Sequence, residues 1–460
     1  MAGIGFELRK LLARDDLIGV VQGYGHSAVA AAGPWLLTAA TLAAINLVVH
    51  GRVSHEDLAA FRLVVLYNFA FSLVLTGPVV SIATRFLADA LFSRDIRPAP
   101  GMLIGTLLLS FAAQALVAAP FYLLVYQGPP MTRFLALNNY FLTSAIWLVA
   151  VFSTALKEHR AVTGAFGVGL SAGLAAIAVL GPYFRVPGML AGFNLGAAII
   201  VFTLAARVFA EYRHEARDLF SFLAWFRRYP ALAAGGLAYN AAVWVDKWIF
   251  WFSPSQERLS NGLISCPDYD SAMFFAYLTI VPSMALFVFH AETGFFQRYL
   301  AYTDAVLADG TWSRIRQRQQ EILDEVWSAG RTILLTQAGI AAVVIMTAPR
   351  LFDSLRMSYS QYGMFRLGVL GAIFQMLYLF LAIVLAYFEL HRAVLKLHIL
   401  FLLLNAAGAL ITLHLGFAYY GAGYLAASVA AFVAAFCVAA RCLNDLPYVS
   451  FIETNPSIRG

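Results

Sequence analysis

Apolar positions along this chain neither alternate nor recur on one helical face. They run on for twenty residues or more and are then broken by short clusters of charge. A helix of about 20 apolar residues crosses a hydrocarbon core of roughly 30 Å. Twelve such runs can be marked, at about 19–49, 63–84, 101–126, 134–156, 161–184, 188–210, 231–252, 271–290, 328–348, 364–388, 395–417 and 421–443. The pattern predicts an all-α polytopic membrane protein of about twelve transmembrane helices.

Composition agrees with this. Of 460 residues, 61% are hydrophobic and 12% charged, which leaves too much apolar surface for a water-solvated globule. The net charge of +6 does not point to nucleic acid, because most basic residues stand in short loops between apolar runs. There they report orientation, since Lys and Arg are retained on the cytoplasmic side. Both termini are expected to be cytoplasmic. The opening MAGIGFELRKLLARDDLIG places basic residues before an apolar run, as a signal peptide does, but the run continues to about Val49. An uncleaved first span is expected. Three cysteines, two of them in the last span, make no disulfide framework.

The richest basic loops are 211–230, with Arg213, Arg217, Arg227 and Arg228, and 291–327, with Arg298, Arg314, Arg316 and Arg318. The first divides the spans into six and six. This gives an N-terminal lobe at 1–210, a basic cytoplasmic linker at 211–230, a C-terminal lobe at 231–443 and a tail at 444–460. In the second loop Trp312, Ile315, Ile322 and Val326 fall at helical spacing among arginines, the pattern of a helix lying on a membrane surface. A surface for a partner, with Arg314, Arg316 and Arg318 as docking residues, has the same pattern.

A faint repeat crosses the division. TGPVVSIATRFLADALFSR at 76–94 and IVPSMALFVFHAETGFFQR at 280–298 each carry a proline, then an acid (Asp89, Glu292), then Phe and Arg. Repeated six-helix halves are a common build for secondary transporters. Gly33-Pro34, Gly77-Pro78, Pro120, Gly181-Pro182 and Pro282 are expected to kink or loosen spans.

No phosphate-cradling glycine loop, metal-ligand cluster or reactive set stands out, so neither an enzyme nor a cofactor or metal is expected. Isolated histidines such as His26, His290, His398 and His414 read as packing residues. The informative polar groups are those inside spans, where ionisable side chains face a cavity or a partner. The stretch YNAAVWVDKWIFWF at 239–252 is the clearest. Helical spacing puts Lys247 on a face with Asn240, Trp244 and Trp251, and turns Asp246 about 100° away beside Tyr239, Val243 and Phe250. The two charges are therefore not expected to pair along the helix. An ammonium, an amide and aromatic rings suit a sugar, which makes Asp246, Lys247, Asn240, Trp244 and Tyr239 the candidates for substrate passage. An interhelical ion pair or an interfacial tryptophan belt is the structural alternative. Arg85, Asp89 and Glu292, nearer the cytoplasmic ends, are secondary candidates.

The opening MAGIGFELRKLL, the two sets of six spans and the IVPSMALF…FHAETGFF…RY stretch resemble the PelG family of Pel exopolysaccharide systems. That family is grouped with the flippase superfamily that also holds MATE exporters. The resemblance implies two six-helix lobes around a central cavity and a cationic, galactosamine-containing polysaccharide as cargo. It also implies a PelF-type cytoplasmic glycosyltransferase and PelD- and PelE-type membrane subunits as partners, in a biofilm-forming bacterium. One departure is that the first span, 19–49, lacks the carboxylate with which MATE exporters often couple to cations. A membrane scaffold anchoring the transferase and a MATE-like small-molecule antiporter are the alternatives.

Overall fold

The computed structural model describes residues 37–93, 95–155, 159–308, 310–354 and 358–453. The opening motif, His26, Gly33-Pro34 and the first half of the first span lie outside the described residues. Among those described, nine helical stretches are long and apolar enough to cross a membrane, beside a shorter apolar helix, α1 at Leu37–Val48. The protein is an all-α polytopic membrane protein. Contacts divide it into two compact units, 37–244 with 256–265, and 245–255 with 266–453. The division falls inside a helix, after Trp244, rather than in the basic stretch 211–230.

In the first unit, α2 (His55–Phe92) starts at Ser54, whose hydroxyl accepts from the Asp57 amide, and runs through Pro78 without a break. It is followed by α3 (Ala99–Pro120), which ends in a wider turn at Phe121–Val125, and by α4 (Pro130–Ala155). α5 (His159–Glu211) holds the two predicted spans 161–184 and 188–210. It breaks at Arg185, where φ is 52° and ψ is −129°. Its 53 residues would reach about 80 Å as one straight helix, more than twice a bilayer core, so a reversal is required. The arms fold back along glycines: a Cβ added at Gly169 would lie 2.7 Å from Gly196 O, and one at Gly192 2.7 Å from the Ile177 amide nitrogen. Spaced small residues of this kind let membrane helices meet backbone to backbone.

The basic stretch 211–230 is not a free connector. A Cβ at Gly101 would run into Arg217 O, so the chain lies directly on the start of α3. A short helix, α6 (Leu223–Arg228), follows. Phe222 is fully buried in the core that also holds Ile82, Phe86, Leu103 and Phe152, and Trp225, Phe226 and Tyr229 pack on the same core. α7 (Pro230–Phe250) then crosses α2 where Gly77 meets Gly236, with a Cβ at Gly77 only 2.7 Å from Gly236 O. A small antiparallel hairpin, β1 (Glu257–Arg258) and β2 (Ile264–Ser265), completes this unit; Tyr67 donates to Ile264 O at 2.7 Å. From Tyr67 at the hairpin to Asp89 at α6 is about 33 Å along α2, close to a bilayer core.

The second unit contains the end of α7, then α8 (Pro267–Leu278) and α9 (Val281–His290), separated at Thr279 and Ile280. Pro282 therefore opens a helix, whereas Pro78 lies within one. The two repeated stretches are built differently at their prolines. A wide turn at Ala291–Phe295 leads into α10 (Phe296–Leu307). Next come α11 (Trp312–Ser354), α12 (Tyr359–Tyr387), α13 (His391–Leu415), α14 (Ala422–Asn444) and a last turn, α15 (Leu446–Tyr448).

Residues 312–327 do not form a separate surface helix. They are the first turns of α11, which continues without a break into the ninth span. Their apolar stripe, Ile315, Ile322 and Val326, is buried inside the protein together with Gln319. Gln319 donates to Leu443 O at 2.8 Å and Asn444 O at 2.7 Å, carbonyls that the end of α14 leaves unpaired. The stripe thus meets the protein rather than lipid. Spacing cannot tell these apart, because either surface buries one apolar face.

Candidate functional site

Asp246 and Lys247 lie in the last turn of α7, which closes at Phe250. Both are buried, at 0% and 6% exposure. Against the helical-face expectation they pair with each other: Lys247 Nζ is 3.2 Å from Asp246 Oδ1 and 3.4 Å from Oδ2. The lysine stem is long enough to swing across the 100° offset, and a buried ammonium lowers its energy greatly by finding a carboxylate.

Neighbouring helices complete the pair. The Tyr269 hydroxyl, on α8, donates to Asp246 Oδ2 at 2.6 Å. The Lys247 ammonium lies 4.8 Å from the centre of the Tyr277 ring, a cation–π contact inside an apolar surround. Tyr277 packs on Tyr424, whose hydroxyl donates to Gln375 on α12. Phe250 packs against both Tyr269 and Tyr420, with ring centres 4.3 and 4.2 Å away. One turn on, Trp251 Nε1 donates to Asp270 Oδ2 at 2.9 Å, and the Cys266 amide donates to the same oxygen at 3.3 Å. Asp270 stands in the first turn of α8, where the helix dipole favours a carboxylate. Two acids, one ammonium and a shell of aromatic rings thus share one buried region of the second unit.

The other passage candidates belong to the first unit. Asn240 Nδ2 donates to Leu73 O at 3.1 Å, five residues before Pro78, so the amide fastens α7 to α2. Tyr239 and Trp244 are half-buried on the same helix. Of the secondary candidates, Arg85 pairs with Asp89 at 3.1 Å and stacks 5.0 Å from the Tyr229 ring centre. Asp89 also accepts from Trp225 Nε1 at 3.1 Å. This cluster holds α6 to the end of α2. The Glu292 side chain lies outside the described residues. Of the docking candidates, Arg314 is exposed, Arg316 stacks 5.0 Å from the Trp312 ring centre, and Arg318 pairs with Glu321 at 2.6 Å.

Two polar groupings were not legible. In the first unit Asn68, Asn139 and Asn194 form a buried ladder: Asn68 Nδ2 to Asn139 Oδ1 and Asn139 Nδ2 to Asn194 Oδ1 are each 2.8 Å, and Tyr122 donates to Asn68 Oδ1 at 2.5 Å. Four helices are joined through it. In the second unit Glu325 of α11, nearly buried, pairs with Arg298 and lies 3.4 Å from His290 Nδ1. A Cβ at Gly294 would meet the Glu325 carboxylate, the end of a flexible side chain, so the carboxylate rests directly on the Gly294 backbone. His398, paired with Tyr378 at 2.5 Å, is a packing histidine.

Comparison with known proteins shows that the fold is similar to that of solved membrane transporters. A MOP-superfamily transporter from Pyrococcus furiosus is 15% identical, with a TM-score of 0.62 over 92% of this chain and 96% of its own. An outward-facing MATE-family transporter of the same superfamily gives 15% and 0.61 over the same shares, and a MATE protein in a bent conformation gives 14% and 0.62. No curated protein matches the chain. The family is given by sequence: residues 1–451 match the PelG model, described as "Putative exopolysaccharide Exporter (EPS-E)". The chain belongs to the PelG family.

Proposed function

We propose that this chain carries Pel exopolysaccharide, a galactosamine-type cationic polymer, from cytoplasm to periplasm through the bacterial inner membrane, without catalysis of its own. The observation that carries the reading is the PelG match over residues 1–451, on a chain whose fold is that of membrane transporters. Both termini are cytoplasmic in this reading. A PelF-type glycosyltransferase supplies the polymer, and PelD- and PelE-type subunits stand beside the chain in the membrane. The Asp246–Lys247 pair is the charged element on which passage depends, and Tyr239, Asn240 and Trp244 extend the passage along α7. A charge pair buried near the end of an apolar helix supports this, because ionisable groups inside a membrane are costly and often face a substrate or ion path.

The test is polysaccharide secretion by a strain lacking the gene. Loss of extracellular polymer, restored by the wild-type gene while the transferase stays active in extracts, is the expected result. Continued secretion by the deletion strain overturns the reading.

The exposure of Arg314 and Arg316 favours a second reading, in which the chain is a non-transporting scaffold anchoring the transferase. Under it, reversal of Arg314, Arg316 and Arg318 to Glu releases the transferase from membranes, and the double change Asp246→Leu with Lys247→Met leaves secretion intact.

A further inference from the structure

We propose that α6 and the turn before it form an anionic-phospholipid site, with Arg227 and Arg228 receiving the phosphate. Turn bonds lead into α6, with Ser221 N bonded to Asp218 O and Leu223 N to Phe220 O. The segment has two apolar faces. Phe222, Trp225, Phe226 and Tyr229, at steps of three and four, face the core of the first unit. Phe220, Leu223, Ala224 and Arg227 repeat the same steps on the opposite side, with Phe220 at 48% and Leu223 at 41% exposure.

An aqueous loop gains nothing by presenting such a face. A membrane interface does, because apolar side chains enter the acyl boundary while basic ones meet phosphates. The location agrees. Trp225 is bonded to Asp89 in the last turn of α2, and that same turn exposes Leu91 and Phe92, continuous with an apolar spanning helix.

The charge is available for a lipid phosphate. Among the described residues no carboxylate lies within ion-pair distance of Arg227 or Arg228, whereas Arg97 is paired with Asp95 and Arg217 with Glu215. Arg228 stacks 5.3 Å from the Tyr229 ring centre, and Tyr229 contacts Arg85 as well, so the segment reaches the surface on a fixed base. Guanidinium groups bind phosphate oxygens in pairs, which suits two adjacent arginines.

Native mass spectrometry of the full-length protein in detergent, titrated with phosphatidylglycerol and with phosphatidylcholine, tests this. Wild type is expected to prefer phosphatidylglycerol. Arg227→Gln with Arg228→Gln is expected to weaken that binding by roughly 30-fold, the effect of two arginines at a lipid surface. Arg217→Gln, whose guanidinium is already paired, is expected to change it little. Equal binding of the two lipids by wild type, or wild-type affinity in the double variant, overturns the proposal. Inorganic phosphate competing as well as the lipid, or a soluble transferase captured through these arginines without lipid, overturns it in favour of a free-anion or protein site.

Discussion

The Tyr269 hydroxyl donates to Asp246 Oδ2 at 2.6 Å, from α8 to the last turn of α7. The carboxylate therefore has two donors, the phenol and the Lys247 ammonium, both held in an apolar surround. Hydrogen bonds to a charged group contribute about 1.5–3 kcal/mol each. Tyr269→Phe is expected to lower thermal stability in detergent by about that amount. An unchanged melting temperature would show that the carboxylate finds another donor.

The approach of α2 and α7 at Gly77 and Gly236 is a second point of control. Gly77→Ala places a methyl group 2.7 Å from Gly236 O and from Asn240 Nδ2, closer than atoms pack. The helices must part, breaking the Asn240 bond to Leu73. A loss of about 1–3 kcal/mol is expected, as for other overpacked sites, read as a lower melting temperature and reduced abundance.

Cys266 supplies a pH dependence outside the spans. It is fully buried, and burial pushes its thiol up to about 11. The folded protein holds this proton in a range where the unfolded chain, with a thiol near 8.5, releases it. The contribution to stability is complete below about pH 8.5 and is lost as pH rises towards 11. Maleimide labelling of Cys266 is expected to be negligible at pH 7.5 in folded protein and to become rapid on denaturation. Rapid labelling in the folded state would contradict the burial.

Much of the fold was legible because length and hydropathy decide membrane helices with little tertiary help. The run at 364–388 is α12, and 421–443 is α14, within a few residues. What failed needed knowledge of partners. The stripe at Ile315, Ile322 and Val326 was visible, yet not that the end of α14 covers it. The stretch 211–230 was read by its charge, while Phe222 and Trp225 decide its place by joining a core. Asn68, Asn139 and Asn194 are single polar residues in separate spans, and only packing makes them a ladder. Asp246 and Lys247 were found because two adjacent charges in an apolar run are conspicuous. Asp270 was not, because an acid after Pro267 looks like any first-turn carboxylate. The Asp246–Lys247 bond was misjudged because periodicity gives the direction of a Cβ, not the reach of a lysine.

Burial of that pair makes the central claim testable by a double variant. Removing one partner strands a buried charge and costs about 3–5 kcal/mol, whereas replacing both with apolar residues of similar size is close to neutral. Asp246→Leu or Lys247→Met alone is thus expected to lower protein abundance. Asp246→Leu with Lys247→Met is expected to restore it. The decisive measurement is secreted polysaccharide per folded protein in the deletion strain carrying the double variant. The account predicts near-wild-type abundance with secretion lost. Near-wild-type abundance with near-wild-type secretion would contradict it and leave the pair a structural bond.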